Sequence, residues 1–250
     1  MKITGIIVST PDPGTLAADH GMEQCVYRTD DGKTLNCCRR KMNYDLPGKA
    51  AVLLFLHGAG ERGNDNSLQL FHGAKEVISW CSRNKQKVLL LFPQCPKNIQ
   101  WVATPWSDLS HTLPEISEPL SLALAALDHE VAAGKDDIDT SRIYVSGISM
   151  GGYGTWDVLS RYPEKIAAAF PICGGADITM AEKMKNVPIL TFHGSEDKTV
   201  PVSRTRDMVE ALRKAGAKIT YVELQGCDHN SWTPAFADDK NWAWLFEQSK

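Results

Sequence analysis

The residues best suited to chemistry are Gly147-Ile148-Ser149-Met150-Gly151, a G-x-S-x-G. Glycines two positions either side of a serine suit a sharp strand-to-helix bend. They keep side chains out of the crowded turn and leave the hydroxyl exposed above a sheet. A hydroxyl is a poor nucleophile until a base takes its proton. The motif therefore calls for a histidine, and for a carboxylate to hold that histidine. At such an elbow the chain order is serine, then acid, then histidine. Two of the seven histidines, His193 and His229, follow Ser149. His193 ends an apolar run and reads as structural. His229 lies in Gly226-Cys227-Asp228-His229-Asn230, a loop that can swing an imidazole over the nucleophile, and is the expected base. The acid is expected in the loop from His193 to Pro201, with Asp197 as first choice. Glu196 is the neighbour that can replace it, and Asp177 is a weaker candidate. Asp228 abuts the histidine and reads as a loop-shaping residue.

A developing oxyanion needs preorganised donors. One is expected to be the backbone N–H of Met150, the residue after the nucleophile. The other is expected in His57-Gly58-Ala59-Gly60-Glu61-Arg62-Gly63, where three glycines let backbone N–H groups approach a ligand. Ala59 is the first choice and Gly60 the second. A phosphate-cradling loop fits poorly, because no G-K-[ST] follows and no downstream ribose acid fits. His57 precedes the nucleophile and reads as a residue that orders this loop.

The elements that must position these groups alternate along the chain. Apolar runs of strand length are Ala51–Leu56, Val88–Phe92, Arg142–Ser146, Ile166–Ile172, Pro188–Phe192 and Lys218–Leu224. Helical segments are Glu115–Ala133, Gly151–Tyr162, Thr179–Lys185, Ser203–Ala215 and Lys240–Gln248, with Gly134 and Gly216 as stops. Near-continuous apolar strands belong to a parallel sheet covered on both faces. The alternation predicts one α/β domain with a doubly wound, mostly parallel sheet. Residues 51–250 form the expected core. Residues 1–50 read as a β-rich entry, with strands at Gln24–Thr29 and Thr34–Tyr44 around the turn Asp30-Asp31-Gly32. Only residues 173–187 separate two of the expected strands, which leaves little room for a large lid. Substrate walls are expected from Pro93–Pro114, which carries Trp101 and Trp106, and from Trp232, three residues after His229. Trp156, Trp242 and Trp244 lie on expected helices and read as packing residues.

The net charge of −3 over 250 residues gives no basic face for phosphate neutralisation, so no nucleic-acid partner is expected. No apolar run approaches the roughly 20 residues that span a bilayer, so no membrane partner is expected either. The seven cysteines are odd in number and contain no C-x-x-C pair, so neither a metal site nor a disulfide framework is expected. Cys37 and Cys38, adjacent on a strand, should face opposite sides. The N-terminus shows no secretory pattern, and with free thiols the expected location is cytoplasmic, or secreted if a signal peptide has been removed. The sequence does not decide between a monomer and a homo-oligomer.

Three stretches carry a resemblance: Leu56-His57-Gly58-Ala59-Gly60-Glu61-Arg62-Gly63, Gly147-Ile148-Ser149-Met150-Gly151-Gly152-Tyr153-Gly154-Thr155-Trp156, and His229-Asn230-Ser231-Trp232. From about Ala51 onward the chain resembles the α/β-hydrolase superfamily. It is similar to the "predicted peptidase" or polyhydroxybutyrate-depolymerase-like esterase group, related to feruloyl and acetyl xylan esterases and phospholipase/carboxylesterases. The resemblance implies an α/β-hydrolase fold without a large lid domain, a triad of Ser149, Asp197 and His229, and no cofactor. The expected activity is a serine carboxylesterase acting on accessible acyl esters, whether small-molecule or carbohydrate-linked. A serine peptidase or amidase is the alternative on the same machinery. A non-catalytic binding protein on a hydrolase scaffold is the alternative from another class.

Overall fold

The computed structural model describes residues 1–250. Nine strands form one sheet: β1 (Ile3–Ser9), β2 (Glu23–Thr29), β3 (Thr34–Met42), β4 (Ala50–Leu56), β5 (Val88–Pro93), β6 (Ile138–Ile148), β7 (Ala168–Ile172), β8 (Ile189–Gly194) and β9 (Ile219–Leu224). Their order is β1-β2-β3-β5-β4-β6-β7-β8-β9. The pairs from β5 to β9 are parallel, and those joining β1, β2, β3 and β5 are antiparallel. The helices are α1 (Leu16–Asp19), α2 (Ala74–Arg83), α3 (Glu118–Ala133), α4 (Met150–Arg161), α5 (Ala181–Met184), α6 (Ser203–Lys214), α7 (Trp232–Ala237) and α8 (Asp239–Glu247).

The central strands explain the architecture. All seven residues of β4, AAVLLFL, are buried. Successive side chains point to opposite faces of a strand. Ala51, Leu53 and Phe55 enter one core cluster, with Trp80 of α2 and Leu245 of α8. Val52, Leu54 and Leu56 enter the other, with Leu127 of α3, Trp156 of α4 and Met208 of α6. A sheet covered on both faces has no polar side, so β4 reads as an unbroken apolar run. Cys37 and Cys38 divide between the same two cores. All seven cysteines are free thiols. No helix is long and apolar enough to cross a membrane.

The doubly wound, mostly parallel sheet agrees with the expected fold class, and its element bounds refine the expected ones. The helix expected from Glu115 begins at Glu118, because the Ser117 hydroxyl caps it by accepting from Leu120 N–H and Pro119 occupies the first turn. The strand expected from Arg142 begins at Ile138. The first fifty residues add β1, β2 and β3 to the edge beyond β5, and β1 lay outside the expected elements. So did α1, α2, which follows Gly73 (φ +82°) as its N-cap, and α7.

The chain runs from β4 outward to β5, then crosses back to β6 on the other side of β4. The crevice at the carboxyl ends of β4 and β6 is therefore a topological switch point, where open α/β sheets bind ligands. The glycine-rich loop leaves β4 there, and the G-x-S-x-G leaves β6 beside it.

Candidate active site

Ser149 sits between β6 and α4 with φ +52° and ψ −117°. Such a backbone costs of order 1–3 kcal/mol for a residue with a side chain, so its surroundings must enforce it. Ser149 N–H donates to Ile172 O of β7 at 2.9 Å, and Ser149 O accepts from Tyr153 N–H at 3.0 Å. The glycines permit the close crossing. A Cβ at Gly151 would collide with the Leu56 carbonyl, and one at Gly147 would lie 2.7 Å from the Gly151 carbonyl carbon.

The three expected residues meet. Ser149 Oγ lies 2.8 Å from His229 Nε2, and His229 Nδ1 lies 2.7 Å from Asp197 Oδ2. Facing a carboxylate, Nδ1 is the protonated nitrogen, which leaves Nε2 to accept the serine proton. Asp197 is held on both oxygens. Its Oδ1 accepts from Thr199 N–H at 2.8 Å and Val200 N–H at 2.9 Å. His193 Nε2 lies 3.1 Å from Oδ2. Burial alone would raise this carboxyl's pKa, but hydrogen bonds from His193, His229 and Val200 hold it far below the usual range. Asp197 is therefore ionised at neutral pH. Cys173 sits nearby, and burial raises its thiol pKa so that it stays protonated and does not compete as a thiolate.

Two peptide groups near Ser149 have their orientation set by hydrogen bonds on their carbonyls. The carbonyl and N–H of a trans peptide point in opposite directions. Ser149 O is directed into α4, so the Met150 N–H faces away from the helix. It is also among the first N–H groups of α4, which have no partner within the helix. Gly58 O lies 2.6 Å from His57 Nδ1, which turns the Ala59 N–H the other way. His57 is fixed in turn, since Cys95 N–H donates to its Nε2 at 2.9 Å and Trp101 Nε1 donates to its carbonyl at 3.0 Å. Burial lowers the His57 pKa to about 4, so this imidazole is neutral and donates from Nδ1. Arg62 Nε donates to Ala59 O at 2.8 Å and closes the loop.

A cleft of about 300 Å³ opens over Ser149 and His229, with Ala59 and Gly60 in its lining. Trp106 and Trp232 form parts of its wall. Trp101 does not. It is fully buried, and its indole is committed to the His57 carbonyl, so the expectation that it contacts substrate is corrected. The ring fills the space beneath the glycine-rich loop instead. Glu61 and His72 line the cleft without having been singled out for it. Glu61 Oε2 is buried without a partner, and burial raises its pKa. His72 packs on Trp232, which also packs on His229, each at 5.3 Å between ring centroids. Of the remaining acids, Glu196 and Asp228 are exposed. Asp177 accepts from Leu113 N–H and Thr179 N–H.

Residues 46–242 match the model of the phospholipase/carboxylesterase family. A thermostable esterase of known crystal structure superposes with a TM-score of 0.81 at 34% identity, covering 92% of this chain and 63% of that one. A probable carboxylesterase of Arabidopsis thaliana is 28% identical over 71% of this chain and 72% of its own. An uncharacterized secreted protein of Arthroderma benhamiae is 28% identical over 75% of this chain, which spans 22% of that protein's length. The chain has the α/β-hydrolase fold.

Proposed function

The chain belongs to the phospholipase/carboxylesterase family, and on that premise we propose that it is a serine carboxylesterase working through an acyl-enzyme on Ser149. The observation that carries this reading is the hydrogen-bond chain from Ser149 Oγ through His229 to a buried, ionised Asp197. In the first half-reaction Ser149 Oγ attacks the ester carbonyl while His229 Nε2 takes its proton. The oxyanion sits between the N–H groups of Ala59 and Met150. His229 then protonates the leaving alcohol, the C–O bond breaks, and the acyl group remains on Ser149. In the second half-reaction water attacks that ester, His229 takes its proton, and the acid leaves as Ser149 recovers its hydrogen. Asp197 fixes the imidazole tautomer and stabilises the imidazolium.

The substrates are accessible acyl esters with short-chain, aryl or carbohydrate-linked groups. Two features support this choice. Residues 173–188, which join β7 to β8, hold only short helical turns rather than a lid. Trp106 and Trp232 in the cleft offer aromatic faces to a phenolic ring or a sugar.

The test is hydrolysis of p-nitrophenyl acetate, butyrate and octanoate, and of methyl ferulate and acetylated xylan. Ser149→Ala is run beside the wild-type protein. The expected result is ester turnover whose kcat falls by at least ~10³-fold in a folded Ser149→Ala protein. Turnover that survives the substitution would contradict the assignment. A protein that labels with a fluorophosphonate but cleaves only amides would be a peptidase. One that neither labels nor turns over would be a binding protein.

A further inference from the structure

Asp197 has a second imidazole beside it. His193, the fifth residue of β8, is fully buried. Its Nε2 faces two oxygens, Val200 O at 3.0 Å and Asp197 Oδ2 at 3.1 Å. Both only accept, so Nε2 carries a proton. The N–H is directed at the Val200 carbonyl, with the carboxylate oxygen to its side. That carboxylate oxygen is the one that accepts from His229. On the other edge of the ring, Nδ1 lies 2.7 Å from Thr205 Oγ1 of α6, and the same hydroxyl lies 3.1 Å from Gly174 O. The hydroxyl has one hydrogen and two acceptors. With the ring proton on Nε2, Nδ1 is free to accept from this hydroxyl.

We propose that His193, held by Thr205, is a positioning residue that anchors the turn carrying Asp197 and sets how strongly Asp197 Oδ2 draws on His229. The proposal rests on the triad reading above. The Asp197–Val200 turn is clamped at both ends of its hydrogen-bond cycle: Asp197 Oδ1 accepts from the turn's N–H groups, and the turn's last carbonyl accepts from His193. A donor beside Oδ2 draws off part of the oxygen's negative charge. His229 imidazolium is then stabilised less. The other titratable or charged groups near this carboxylate are Cys173 at the end of β7, Tyr153 of α4 and Cys227 in the loop before His229. Arg204 of α6 lies over the Tyr153 ring, 5.5 Å from its centre.

The test follows the rate at which a fluorophosphonate labels Ser149 as a function of pH. In that reaction the Ser149 O–P bond forms, fluoride leaves and His229 takes the proton, so the acid limb reports His229 without an ester substrate. In His193→Asn the amide can reach Thr205 but not Asp197. The expected result is a limb displaced upward by about one pH unit and a plateau roughly tenfold lower. His193→Gln places its amide near the Nε2 position and should recover most of both effects. Thr205→Val, which removes the hydroxyl and keeps the shape, should move the limb in the same direction, and Thr205→Ser should not. A folded His193→Asn protein with an unmoved limb would overturn the proposal, as would a Gln variant as impaired as Asn. Should neither His193 variant fold, an unmoved limb in Thr205→Val would overturn it. A wild-type protein that labels yet hydrolyses no ester would overturn the carboxylesterase reading and leave this one open to the same measurement.

Discussion

Asp197 and Glu196 are adjacent carboxylates in one loop, and their environments assign them different roles. Asp197 is buried and accepts from Thr199, Val200 and His229, whereas Glu196 is exposed. Asp197→Asn should therefore cost on the order of 10⁴ in kcat, because the amide favours the wrong imidazole tautomer. Glu196→Gln should leave kcat within about twofold, as expected of an exposed side chain. Steady-state kinetics on a short p-nitrophenyl ester checks both, and the reverse ranking would move the acid to Glu196. The meeting of Ser149 and His229 was legible because each carries a local signature, the G-x-S-x-G and a loop histidine after the last strand. Trp101 was not legible. Its type and loop suited a substrate wall, but whether an indole faces the cleft or the core depends on long-range packing. Here the His57 carbonyl, 44 residues earlier, takes its N–H.

At the scale of elements, the loop after β4 depends on a histidine kept neutral. His57 has a pKa of about 4 against an ordinary value near 6.5, with burial as the main cause. Above pH 6.5 the ring is neutral in folded and unfolded chains alike and contributes no pH dependence. As the pH falls from about 6.5 to about 4, the unfolded chain binds a proton that the native chain refuses, and stability falls. The contribution is roughly 2 kcal/mol between pH 7 and pH 5. Urea unfolding at those two pH values should show a smaller loss for His57→Gln than for the wild-type protein, although the variant starts less stable. Equal losses would mean that His57 is not the buried neutral group described. The apolar central strands were legible because burial on both faces leaves no polar positions. β1 escaped notice because only Ile3 of its seven residues is buried, which leaves almost no alternation to read. α2 buries Ala74, Val77, Trp80 and Cys81, a helical spacing that is visible once Gly73 is taken as its start.

At the scale of the molecule, strand order explains why residues so distant in sequence meet. The crossover places β4 beside β6, so the glycine-rich loop and Ser149 emerge as neighbours. Asp197 follows β8 and His229 follows β9, both at the same edge of the sheet. Parallel pairing from β5 to β9 sends every functional loop to that carboxyl edge, while β1, β2 and β3 extend the far side. Parallel pairing was legible from strand–helix alternation. The order of the strands was not, because a sequence pattern carries no record of which strand lies beside which.

The claim on which the account depends most is a covalent acyl group on Ser149. The direct measurement is rapid acid quench of p-nitrophenyl butyrate turnover, followed by mass spectrometry of the intact protein and its peptides. The account predicts one butyryl group per chain, located on the peptide containing Ser149, absent from Ser149→Ala and lost on further incubation with water. Catalytic turnover with no acyl adduct, or with the adduct on another residue such as Cys227, would contradict it.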